Sequence, residues 1–196
     1  MTSFASIAAV LALVAQALTL LLPITAAGLT LIVCMRKGWL RKLDVPLDGG
    51  IRFGGRPLIG ISKSLRSLVI YLVVATAVTG ILHLVAPISG AVATVYLTNP
   101  LILGPANTLA YLAGEVVNSF VKRRLGIETS GTVKNRTAAR VQAIFDNLDG
   151  VLASGLLMIL VFRVQGEVLV VAFFLAIATH LSTDALMRRL RLKRQQ

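Results

Sequence analysis

The chain has 196 residues, of which 56% are hydrophobic and only 14% charged, and its formal net charge is +12. A soluble domain of this length carries roughly a quarter charged residues, so the composition excludes an ordinary soluble globule. It points instead to an all-α integral membrane protein with room for about five transmembrane helices. The basic excess fits anchoring at the cytoplasmic membrane surface better than nucleic-acid binding.

The N-terminal run MTSFASIAAVLALVAQALTLLLP has no Lys or Arg before Arg36. A cleaved secretory signal needs a positive n-region and a short apolar core, so this run reads as a retained first span, near residues 4–34. Further apolar runs lie near 68–86, 91–121, 148–162 and 168–187, and the five together form a single membrane domain, 1–196. The third run is interrupted by Thr98-Asn99-Pro100 and Pro105. Asn followed by Pro makes an N-cap and first-turn pair, which predicts that a helix restarts near Pro100. The single cysteine, Cys34, excludes an intrachain disulfide and a cysteine-rich metal site.

The charges test the span count. Arg36, Lys37, Arg41, Lys42, Arg52, Arg56, Lys63 and Arg66 lie between the first and second runs. Lys122, Arg123, Arg124, Lys134, Arg136 and Arg140 lie between the third and fourth, and Arg188, Arg189, Arg191, Lys193 and Arg194 follow the fifth. Five spans place all of these on one face and leave Arg163 alone on the other, whereas four or six would split them. The positive-inside rule makes the crowded face cytoplasmic, with the N-terminus outside and the C-terminus inside. Of the acidic residues, Asp44, Asp48, Glu115, Glu128, Asp146, Asp149 and Asp184 fall on or near that same face, with Glu167 opposite. Pairing with nearby bases is one reading of this gathering, and a polar site at the membrane surface is the other.

In the first loop, Asp48-Gly49-Gly50 and Gly54-Gly55 allow turns that bring amides close to an anion. Lys63, Ser64 and Arg66 open the next helix, where aligned N–H groups favour phosphate, although the spacing is not that of a Walker motif. Farther on, Glu115, Asn118 and Lys122 share one helix face. A carboxylate in an apolar helix needs a partner, and an ion pair with a Lys or Arg supplies one bland answer. Asp146 and Asp149 are three apart and point one way. They read either as N-terminal caps of the fourth helix or as oxygen ligands for Mg²⁺. His180 and Asp184 sit at i, i+4 on the fifth helix, while His83 and Trp39 read as packing or interfacial residues.

The segments LDGG…FGGRPLIGISKSLRS, AGEVVNSFVKRRLG and FDNLDGVLASG, with the C-terminal ATHLSTDALMRRLRLK, resemble the CDP-archaeol synthase family in order and spacing. That family is related to the CDP-diacylglycerol synthases. The likeness runs from about Asp48 to Lys193, and Ser119 to Gly126 is its most specific piece. The resemblance implies five spans with two cytoplasmic loops and transfer of a cytidylyl group from CTP to a membrane lipid phosphate, with Mg²⁺, releasing pyrophosphate. It assigns Glu115, Asp146 and Asp149 to the metal, with Lys122, Asp146 and Asp149 as catalytic residues. CTP and phosphate contacts fall to Asp48, Gly49, Gly50, Gly54, Gly55, Lys63, Ser64, Arg66, Ser119, Arg123 and Arg124. The expected partners are CTP, the lipid and the bilayer, with room for a homodimer and no nucleic acid.

This chain departs from the family pattern at three places: Gly114-Glu115 stands where Gly-Asp is usual, Ile61 where an acid is usual, and Asp146-Asn147 where Asp-Gln is usual. A catalytically degenerate homologue, a lipid-binding partner or a small transporter is the alternative. The missing run of four aspartates speaks against a CDP-alcohol phosphotransferase.

Overall fold

The computed structural model describes residues 2–60, 63–125, 127 and 136–189, with side chains described for 6–60, 63–125, 127, 148–179 and 182. Five long helices dominate: α1 (Thr2–Lys37), α2 (Leu65–Val85), α3 (Pro100–Arg124), α4 (Arg136–Leu160) and α5 (Gly166–Arg189). At 36 residues, α1 is about 54 Å long, well beyond a hydrocarbon core of about 30 Å. Ser6–Lys37 and Leu65–Ile88 are each long and apolar enough to cross a membrane, and Leu148–Leu160 and Gly166–Thr179 are shorter apolar stretches.

Consecutive helices pack side by side, and α5 closes back on α1, so the five form a ring. Of the neighbouring pairs, α4 and α5 touch least. Close approach elsewhere depends on glycine. A methyl group at Gly114 of α3 would overlap the Asp149 carbonyl oxygen of α4 and lie 2.8 Å from the Ala153 Cβ. One at Gly150 would lie 2.6 Å from the Tyr111 ring, and one at Gly104 would lie 2.8 Å from the Thr76 Cα.

The restart at Pro100 is as the sequence predicts: the Asn99 side chain accepts from the Leu101 amide at 2.9 Å and Pro100 occupies the first turn. The segment from 91, which the sequence merges into one run with α3, instead holds a short 3₁₀ turn at Thr94–Leu97, and a second, Ala86–Ile88, follows α2. Those turns pack on α1 and α2: the Tyr96 hydroxyl donates to the Thr19 carbonyl at 2.8 Å, and a His83 ring nitrogen lies 2.8 Å from the Tyr96 carbonyl. The main buried apolar cluster, including Leu20, Leu82, Tyr96, Leu103, Met158 and Val168, sits near this end.

The fourth helix differs more. It begins at Arg136 rather than near 148, so Asp146 and Asp149 lie in its interior. The helix dipole is felt only in the terminal turn, which removes N-capping as the reason for the two aspartates.

Candidate functional site

The opposite end of the ring gathers the polar residues. Between α1 and α2 the chain folds into a compact lobe rather than a loose connector. The Leu47 amide donates to the Lys63 carbonyl at 2.8 Å and the Leu65 amide to the Val45 carbonyl at 2.9 Å, so the two ends of the lobe are clipped together. Asp48 organises its centre. One carboxylate oxygen accepts from the Gly50 amide at 2.9 Å, and the other accepts from Ile59 at 2.9 Å and Gly60 at 3.4 Å. Burial pushes this carboxyl up, but those backbone donors outweigh it and hold Asp48 below the ordinary carboxylate value. Gly49 and Gly50 both have positive φ, 61° and 79°, which the tight turn after Asp48 requires. Gly54 and Gly55 make the turn of a small hairpin, β1 (Arg52–Phe53) with β2 (Arg56–Pro57).

Ser64 caps α2, accepting from the Ser67 amide at 3.4 Å. That cap fixes Lys63 just outside the helix, and its Nζ lies 2.6 Å from Glu115 Oε2 on α3. Across the α3–α4 contact, Asn118 Nδ2 donates to Asp149 Oδ2 at 2.7 Å. Glu115, Lys63 and Asp149 are close enough to act on one another electrostatically. Tyr111, one turn before Glu115, stacks on Tyr71 with ring centroids 5.8 Å apart and forms the apolar floor beneath the carboxylates.

The bases divide into two groups. Arg66 is buried and paired with Asp44 at 3.0 Å. Arg124 clasps the hairpin to the end of α3: it donates to the Phe53 carbonyl at 2.7 Å and the Pro57 carbonyl at 2.8 Å, and lies 5.3 Å from the ring centroids of both Phe53 and Phe120. Arg56 answers by donating to the Arg124 carbonyl at 2.8 Å. Arg123 is buried and donates to the Ile127 carbonyl; Ser119 is also buried, and Lys122 is half-buried.

Of the residues expected from sequence, the fold therefore brings Lys63, Glu115 and Asp149 together and puts Asp48, Ser64 and the four glycines in the lobe that presents Lys63. The side chains of Asp146, Asn147, His180 and Asp184, and Ile61 altogether, lie outside the described residues. Sequence reasoning missed Tyr71 and Tyr111, whereas Asp44, one of the acids gathered on the basic face, pairs with a nearby base as one reading had it. Tyr111 had a signal, since it stands four residues before Glu115 on one helix face; Tyr71 had none. Among the described residues no three His, Cys, Asp or Glu side chains gather into a metal site.

A ring of apolar helices with most of its carboxylates and bases gathered at one end is the architecture of a helical membrane protein with a polar site at one surface. A solved structure of this kind, of an intramembrane enzyme for archaeal membrane lipid biosynthesis, is similar with a TM-score of 0.63 and 25% sequence identity, covering 86% of this chain and 92% of that one. The CarS-like CDP-archaeol synthase model matches residues 9–195, and the chain belongs to that family. It is thus a membrane protein and a transferase of membrane-lipid biosynthesis. No curated protein matches the chain.

Proposed function

We propose that the chain transfers the cytidylyl group of CTP to a membrane lipid phosphate at the end of the ring that faces the cytoplasm. A phosphate oxygen of the lipid attacks the α-phosphorus in line, the bond from that phosphorus to the bridging oxygen breaks, and pyrophosphate leaves with the bridging electrons. Such a reaction asks the protein mainly for positioning and charge neutralisation.

The convergence of Lys63 from the lobe, Glu115 and Asn118 from α3 and Asp149 from α4 carries this reading. The carboxylate oxygens of Glu115 and Asp149 suit Mg²⁺, which completes its shell with water and phosphate oxygens. Glu115 and Asp149, with Asp146 one turn earlier on α4, would hold it. When bound, the ion neutralises charge on the triphosphate. Lys63 holds the Glu115 charge and stands ready to pair with an incoming phosphate. Asn118 fixes the Asp149 carboxylate, and the Asp48-centred turn keeps the lobe in the shape that presents Lys63.

The test uses purified protein in detergent with Mg²⁺ and radiolabelled CTP, offering phosphatidic acid and an isoprenoid ether-lipid phosphate in parallel. A labelled CDP-lipid is expected with at least one acceptor, and the preferred one names the lipid class. Asp149→Asn should abolish turnover while the protein still melts as a folded species. Turnover near the wild-type rate in that variant would remove Asp149 from the reaction. Loss of CTP binding in the wild type would favour a non-catalytic homologue.

A further inference from the structure

The seam between α4 and α5 is the loosest in the ring and, among the described residues, holds a large groove. This groove, of about 680 Å³, runs from Val151 to Ile159 on α4, about 12 Å along the helix, and faces Phe173 and Phe174 on α5. Its outer rim is open and apolar: Leu152 is 52% exposed, Leu156 59% and Phe174 66%. At its inner end, Leu20, Leu21, Val151 and Ser154 also wall a second cavity of about 100 Å³ at the centre of the ring. That central cavity is lined by Tyr71 and Tyr111. Tyr111 lies against Gly150, next to Asp149, and one turn from Glu115. The groove thus begins at Val151, two residues past Asp149, and the cavity beside it reaches the tyrosine pair, one turn from Glu115.

We infer that the α4–α5 groove holds one hydrocarbon chain of the acceptor lipid and so selects acceptors by chain length. The inference rests on the cytidylyl-transfer reading. Nearness to Asp149 and Glu115 favours this occupant over a structural lipid or a second copy of the chain, neither of which would need to lie beside the reaction site. Because the chain is already in hydrocarbon before it binds, the groove contributes position rather than transfer free energy. It fixes where the phosphate sits relative to Lys63 and Asp149, and a misplacement of about 1 Å at a reacting centre costs around 100-fold in rate.

Gly155 is the place to test this, because a side chain there would meet nothing within 4 Å and would project into open space. Gly155→Leu and Leu152→Trp both narrow the groove by different routes, and Gly80→Leu, equally open but on α2, is the control. Each is assayed in mixed micelles with a dioctanoyl and a long-chain lipid phosphate, alongside CTP binding and melting temperature. Either groove variant should lower the long-to-short ratio of kcat/KM by about 10-fold or more, with CTP binding intact, and Gly80→Leu should not change the ratio. An unchanged ratio in both groove variants overturns the inference. So does a change in oligomeric state without a change in chain-length preference, which would make the groove a contact between copies. If the wild type transfers cytidylyl to no lipid of any length, it is the parent reading that fails.

Discussion

Lys63 and Glu115 meet at 2.6 Å with each side chain 20% exposed, so neither is fully solvated and each is the other's main counter-charge. Glu115→Gln or Lys63→Met should each lower turnover by about 100-fold, the size seen when one preorganised charge-stabilising group is removed. Because the two act as a unit, the double variant should lose scarcely more than either single one. Strictly additive losses in kcat would show that the pair is not coupled in the reaction. Asp48 offers a pH test. Its carboxyl is held below its ordinary value in the folded lobe, so the stability it contributes is present above the unfolded value and is lost as pH falls through the folded one. Limited proteolysis of residues 48–60 should therefore accelerate on acidification in the wild type. In Asp48→Asn cleavage should be faster and nearly independent of pH; a parallel acid response in both would assign the effect elsewhere. Glu115 stands out in the sequence as a lone carboxylate in an apolar helix. Its partner does not, because 52 residues separate it from Lys63 and only the packing of α2 on α3 joins them.

The contact between α3 and α4 places Asn118 beside Asp149, and Gly114 and Gly150 are the residues that permit it. Ala at Gly114 would push against backbone, which has no rotamer by which to yield, so Gly114→Ala should cost roughly 1–3 kcal/mol and depress turnover as well. Gly80→Ala meets open space within a helix and should be neutral or stabilising by about 0.5–1 kcal/mol. Equal melting temperatures for the two variants in detergent would refute the close approach. The α3 boundary was legible because Asn99-Pro100 is a local signal that needs no tertiary context. The start of α4 was not. Hydropathy marks where a helix becomes apolar, and residues 136–147, RTAARVQAIFDN, are polar enough to hide a helix that extends beyond the apolar run. Arg124 shows the same limit from another side: a basic triplet at a helix end looks alike in sequence whether its members meet phosphate or, as here, peptide carbonyls and aromatic rings.

The distribution of charge over the whole molecule orders the ring relative to a bilayer. Nineteen of the twenty basic residues fall between Arg36 and Arg66, between Lys122 and Arg140, or from Arg188 onward, and the polar site lies at that end. The short turns at Ala86–Ile88 and the α4–α5 connection lie at the other. Moving such charge through hydrocarbon is costly, by about 2.5–3.5 kcal/mol per residue even on insertion scales, so a cytoplasmic site with an external N-terminus is the expected arrangement. Cys34 is the single native thiol, so a Cys34→Ala background allows cysteines to report one position at a time. Ile88→Cys, at a site 84% exposed, and Gln165→Cys, at an exposed site, should react with a membrane-impermeant maleimide on intact cells. Ile51→Cys, at a site 59% exposed in the Asp48 lobe, should react only after permeabilisation. The reverse pattern would invert the orientation. Ile88 and Gln165 reporting opposite sides would break the five-span reading, because α3 and α4 together must cross the bilayer an even number of times to return the chain to the same face.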